Sequence, residues 1–230
     1  PWVDVAGNPI NLSPSTTLAV SLFCYETAPV AYLFEQLLAM CITHANSTNN
    51  GHCIVKLIVT AGKSTELVQK WLSQLKPDCT DKHAALHDAL AAKQLQVHYL
   101  PLLTHRQYDA LLRQCQLNCV RGEDSLVRAL WAQRPFLWQL YEQEGGHHAA
   151  KLQAFIDQMA LPPTWAQCLL AWNQLPTTTL APQCAEDTNT PSMPKIEPTQ
   201  WASTAHRLAC TLANQTDLVT QLVRFVNEKR

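Results

Sequence analysis

The chain has 230 residues, 47% of them hydrophobic, and a net charge of -1. That length and composition bury one good core, one domain plus an appendage. The near-neutral charge with scattered basic residues gives no case for nucleic acid, and no apolar run approaches the roughly 20 residues of a membrane span.

Residues Pro1 to Thr17 are rich in Pro, Ser, Thr and Asn and read as linker. The opening "PWVDVAGNPI" lacks a Met, a basic n-region and an apolar h-region, so it is not a signal peptide, and the chain reads as a piece of a longer protein. The run "LAVSLFCY" predicts a first strand. "PVAYLFEQLLAMC" predicts a helix with Pro29 at its start, where a missing N–H is harmless. After the polar loop "THANSTNNGH" come the strand "CIVKLIV" and the helix "STELVQKWLSQL", opened by Ser64 and Glu66 as a capped helix. "KHAALHDALAAK" is helical and "LQVHYL" is the third strand. Thr104 is placed to cap "HRQYDALLRQC", which leads to the fourth strand "LNCV". A helix begins near Ser125 and a fifth strand, "PFLWQLY", follows. The remainder reads as helices, interrupted by an exposed insertion from Pro176 to Pro198.

Strands alternating with helices, several of them continuously apolar, indicate an α/β fold: a Rossmann-like parallel sheet with helices on both faces. The expected domains are a linker remnant over 1–17, a Rossmann-like ligand-binding domain over 18–175, a loop insertion over 176–199 and C-terminal helices over 200–230. Such sheets bind ligands beyond the carboxyl ends of their strands, at a topological switch point. Only six glycines are present and none forms G-x-G-x-x-G after the first strand. A nicotinamide or flavin fingerprint, a P-loop and a G-x-S-x-G elbow are all missing. The nine cysteines are irregularly spaced without a C-x-x-C. They read as reduced thiols of a bacterial cytosol, most of them apolar fillers (Cys24, Cys41, Cys53, Cys168 and Cys210), and not as a disulfide or zinc framework.

What remains is "NCVRGEDSLVRALWAQRPFLWQLY", Asn118 to Tyr141, with a single Gly at a strand–helix junction. Gly122 permits a tight turn, after which successive N–H groups can converge on an anion. The flanking carboxylates have two readings. In one, Asp124 or Ser125 caps the helix and Asp124 pairs with Arg128. In the other, Arg121 and the helix N–H groups hold a diphosphate while a carboxylate faces a sugar and stabilises positive charge developing there.

These residues carry a resemblance. "SLFCYE" at Ser21–Glu26, the R-G-E-D-S block with its following "LVRALWAQRPF", "HHAAKLQAF" and the closing "DLVTQLVRFVNEKR" resemble the elongation factor P arginine rhamnosyltransferase family, EarP. The resemblance implies the C-terminal half of a two-domain GT-B glycosyltransferase, inverting and metal-independent. It needs no cofactor: the donor substrate is dTDP-β-L-rhamnose and the acceptor an arginine of elongation factor P. The N-terminal domain that receives the acceptor has no counterpart in the sequence, so the chain is expected to bind donor and to transfer nothing alone.

Carried over by motif, Glu123 is the catalytic carboxylate, and Arg121, Gly122, Asp124 and Ser125 form the diphosphate and sugar site. Tyr25 matches the donor-pocket tyrosine, and Phe23 shares its face or is plain core. "YLPLLTHRQYDALL" matches the base-binding loop, with Leu102 in place of Phe and His105 in place of Gln. Tyr108 is placed to stack on thymine or is a half-buried helix residue. Cys119 and Leu126 replace aromatic residues of the family and belong to the core. His147 and His148 either contact a phosphate or sugar or are solvated. Trp131, Trp138, Trp165 and Trp172 fit core positions. The final helix carries an apolar face from Leu218 to Val226. The competing class is a GT-B-like binding or regulatory module; a third is a transferase that prefers UDP to dTDP.

Overall fold

The computed structural model describes residues 2–13, 17–47, 54–76, 80–176 and 194–228. Trp2–Val3 (β1) and Pro9–Ile10 (β2) pair antiparallel, with Trp2 opposite Ile10. The Asp4 carboxylate closes the turn by accepting from the backbone N–H groups of Ala6 and Asn8 at 2.9 and 2.8 Å. Residues 2–13, expected to be linker, are therefore folded onto the domain. Ile10 and Leu12, two residues apart, share one face and are buried with Ala19, Ile58, Leu100, Leu111 and Cys115. The Val5 N–H donates to the Tyr99 carbonyl at 2.9 Å, and the Lys56 ammonium to the Asn11 carbonyl at 2.9 Å. Two apolar residues within a polar segment are enough to anchor it, and bulk composition averages them away.

The five expected strands are present as β3 (Thr17–Leu22), β4 (Ile54–Val59), β5 (Leu95–Tyr99), β6 (Leu117–Arg121) and β7 (Phe136–Gln139). All neighbours are parallel, in the order β5-β4-β3-β6-β7. Leu18, Val20 and Leu22 enter the main core, whereas Ala19 enters a second cluster on the opposite face. Burial on both faces explains why these runs are continuously apolar. The chain runs outward from β3 to β4 and β5, then returns to the other side of β3 with β6 and β7. The sheet therefore reverses its winding between β3 and β6, where a crevice must open at the carboxyl ends. Ser21 and Asn118 are in register across that junction, and the Ser21 hydroxyl donates to Asn118 Oδ1 at 2.6 Å.

The helices are α1 (Val30–Ser47), α2 (Lys63–Gln74), α3 (Asp81–Ala91), α4 (His105–Gln114), α5 (Gly122–Ala132), α6 (His147–Met159), α7 (Pro163–Trp172), α8 (Pro198–Ala213) and α9 (Leu218–Glu228). They flank the sheet. Several boundaries differ from expectation. The first helix continues through Ser47 into the segment read as loop. Ser64 does not cap α2: it is buried, and its hydroxyl accepts from the Cys24 N–H at 2.9 Å, tying α2 to the end of β3. Most of the expected insertion, 177–193, lies outside the described residues. Its end is packed and not exposed, with Ile196 buried and Pro198 opening α8. The α8 helix belongs to the core, because Trp201 stacks on Trp165 with ring centroids 5.2 Å apart. Trp138, Trp165 and Trp172 are buried as expected, but Trp131 is 51% exposed on the outer side of α5. Cys24, Cys41 and Cys168 fill core space; Cys210 is exposed, and Cys53 lies outside the described residues. Leu218, Val219, Leu222, Val223 and Val226 of α9 are all at least half exposed.

Candidate functional site: a cleft at the β3–β6 switch point

A cleft of about 520 Å³ opens where the winding of the sheet reverses. Its walls come from the ends of four strands: Phe23 after β3, Thr60 and Ala61 after β4, Pro101 to Leu103 after β5, and Arg121 to Ser125 at the β6–α5 junction. His105, Tyr108 and Arg128 complete it from α4 and α5.

The junction is built tightly. Arg121 is extended and caps α5, and Gly122 follows with φ +65°. The turn favours glycine, and a Cβ at Gly122 would sit 3.2 Å from the Tyr25 hydroxyl, which would have to shift by a few tenths of an ångström. Ser125 does not open the helix as expected. It lies one turn in and is buried, and its hydroxyl accepts from the Arg121 N–H at 3.0 Å while also contacting the Arg121 carbonyl. The helix therefore begins three residues earlier, with the N–H groups of Glu123 and Asp124 in its first turn. The Arg121 guanidinium donates to the Cys24 carbonyl at 2.9 Å and lies 4.3 and 4.7 Å from the ring centroids of Phe23 and Tyr25. A permanent cation is thus fixed at the cleft wall by two rings and a carbonyl.

The two carboxylates are differently placed. Glu123 stands on the rim, largely exposed, and ion-pairs with Lys151 of α6. Its hydrogen bond to that ammonium holds the Glu123 carboxyl below the usual range. Asp124 is also exposed and pairs with Arg128 at 3.9 Å, the i, i+4 contact expected from the sequence. Arg128 is nearer to Asp109 of α4, at 2.8 Å. The motifs mark neither Arg128 nor Lys151 as a site residue. Helical spacing connects Arg128 to Asp124, but Lys151 is 28 positions from Glu123 and nothing in the sequence links them.

Leu102 is 87% exposed at the cleft mouth, beside His105 in the first turn of α4. Thr104 caps that helix through a reciprocal pair with Gln107, as expected. Tyr108 packs edge-on against Phe23 with centroids 5.7 Å apart. Its hydroxyl is buried without a hydrogen-bond partner among the described residues, so the residue is wall as much as platform. Burial also pushes its phenol pKa up. Tyr25 does not line the cleft: its ring centroid lies 4.7 Å from the Arg121 guanidinium, and it meets Tyr141 edge-on at 5.7 Å. Cys119 and Leu126 are core. His147 and His148 begin α6 away from the cleft walls, and His148 Nδ1 accepts from the Gln143 N–H at 3.4 Å. The arrangement suits a ligand with a planar or apolar end and an anionic group near Arg121 and the α5 N-terminus.

A family model described as elongation factor P (EF-P) rhamnosyltransferase EarP matches residues 5–227. A protein-arginine rhamnosyltransferase of Pseudomonas aeruginosa is 38% identical over 160 residues, which are 67% of this chain and 38% of that protein. The Shewanella oneidensis protein of the same name is 30% identical over 216 residues, 90% of this chain and 49% of that protein. The chain thus spans about half the length, or less, of these relatives. A solved structure concerned with EarP-mediated arginine glycosylation of translation elongation factor EF-P superposes with a TM-score of 0.57 at 26% identity, covering 96% of this chain and 63% of that one. The match over nearly its whole length places this chain in the EarP family of elongation factor P rhamnosyltransferases.

Proposed function

We propose that this chain is the donor-binding half of a protein-arginine rhamnosyltransferase of the GT-B type. The cleft takes dTDP-β-L-rhamnose. The observation that carries this reading is the cleft at the switch point with Arg121 and the start of α5 in its wall. The diphosphate lies against the Arg121 guanidinium and the first N–H groups of α5, which neutralise dTDP as it departs. Glu123 faces the sugar, where a carboxylate stabilises an oxocarbenium-like anomeric centre. Leu102, His105 and Tyr108 border the base.

The acceptor in this reading is an arginine of elongation factor P. A guanidinium is a weak nucleophile with a pKa above about 12, so attack needs a carboxylate that orients it and receives a proton. That group belongs to the N-terminal half of the family fold. Inversion follows from a single displacement, and no metal or cofactor takes part. The chain alone binds donor and transfers nothing.

Calorimetric titration with dTDP-rhamnose, dTDP and UDP tests this. The expected order is dTDP-rhamnose ahead of UDP, with dTDP-rhamnose binding weakened in Glu123→Ala. Preference for UDP would point to another nucleotide sugar. Rhamnosylation of elongation factor P by this chain alone would overturn the division of labour.

A further inference from the structure

A carboxylate on the rim of a diphosphate site repels the ligand it is meant to serve. Glu123 lines the cleft, whereas Lys151 does not: it reaches Glu123 from α6 behind the rim. The ammonium lies 5.8 Å from the Trp138 ring centroid, and the Trp138 indole N–H donates to the Gly122 carbonyl at 2.9 Å. The cation, the ring beneath it and the residue preceding Glu123 therefore form one framework joining α6, β7 and α5. The neighbouring cations do not pair with Glu123: Arg128 pairs with Asp109 and Asp124, and Arg121 donates to the Cys24 carbonyl.

We propose that Lys151 is a positioning residue that neutralises Glu123, so that the cleft admits a nucleoside diphosphate beside a carboxylate. This rests on the reading of the cleft as a nucleotide-sugar site. The pair presents no net charge to the phosphates while keeping the carboxylate ionised. The lowered carboxyl pKa of Glu123 accords with this.

The test is titration of the whole chain with dTDP at low and high salt, for the unaltered protein, Lys151→Met, Lys151→Arg and the double variant Lys151→Met/Glu123→Gln. In Lys151→Met the unmasked carboxylate weakens dTDP binding by about two- to fivefold at low salt, and by less at high salt. Lys151→Arg keeps the affinity. The double variant recovers what Lys151→Met loses, which a lysine that only held α6 in place would not allow. Equal binding by Lys151→Met and the unaltered chain would overturn the proposal, as would a double variant no better than Lys151→Met. Carbon-detected NMR titration of the Glu123 carboxyl reads the pair without ligand: its pKa rises in Lys151→Met, and an unchanged value sinks the pairing. Absence of dTDP binding by the unaltered chain would instead sink the nucleotide reading, and the diphosphate role of Lys151 with it.

Discussion

Trp138 donates its indole N–H to the carbonyl of Gly122 at 2.9 Å. A buried side chain of β7 thereby fixes the first residue of α5, and with it the direction in which that helix presents its N–H groups to the cleft. Gly122 holds φ +65°, a conformation costing a residue with a Cβ about 1–2 kcal/mol. The Gly122→Ala variant is expected to lose about that much stability in urea denaturation and to bind dTDP-rhamnose more weakly, since Tyr25 must also give way.

Arg121 is held by shape as well as charge. A lysine keeps the charge but cannot lay a flat cation against the Phe23 and Tyr25 rings while donating to the Cys24 carbonyl. Arg121→Lys is expected to cost about 1 kcal/mol of stability and to weaken dTDP binding clearly. Calorimetry and a thermal melt on the same sample check both. Wild-type affinity in this variant would show that charge alone suffices.

Asn118 secures the switch point itself. Its amide donates to the Leu112 carbonyl at 2.9 Å, at the end of α4, where the Gln116 N–H four residues on is taken by the Ala19 carbonyl. It also accepts from the Ser21 hydroxyl. Asn118→Leu strands both groups in the core at about 1–3 kcal/mol each. Adding Ser21→Ala removes one of them, so the double variant is expected to be more stable than Asn118→Leu alone by denaturant titration.

The N-terminal hairpin confers a pH dependence. Burial, followed by the nearby Lys56 ammonium, pushes the His98 pKa below its ordinary 6.5, and Asp4 at 3.8 Å offsets this only in part. The folded state thus favours neutral imidazole while the unfolded chain takes up a proton near 6.5. Stability from this group is complete above that value and falls as the pH drops through it toward the folded pKa. Urea midpoints at about pH 7.5 and about pH 5.5 are expected to differ less in His98→Gln than in the unaltered protein.

The sheet is legible because burial on both faces writes strands as continuous apolar runs, and the alternation with helices puts a ligand beyond their carboxyl ends; that the cleft opens between β3 and β6 follows from the strand order, which no local pattern records. Phe23, Leu102, His105, Tyr108 and Arg121 to Ser125, gathered from motifs far apart in sequence, line one cleft. The start of α5 was misplaced because Ser125 resembles a cap in sequence yet turns its hydroxyl back to Arg121. Tyr25, a donor-pocket residue by motif, packs on the Arg121 guanidinium and is not among the residues that line the cleft. Residue type points Trp131 to the core, although the rotation of α5 turns it outward. Lys151 reaches Glu123 only through tertiary packing, which no local pattern records.

Amide-shift mapping by NMR with dTDP-rhamnose tests whether the β3–β6 cleft is the donor site. A donor bound there shifts amides concentrated at Thr60–Ala61, Leu102–His105 and Gly122–Ser125. Shifts gathered instead in the hollow between the hairpin and α4, around Trp2, Ala110 and Gln114, or no shifts at any donor concentration, would contradict it.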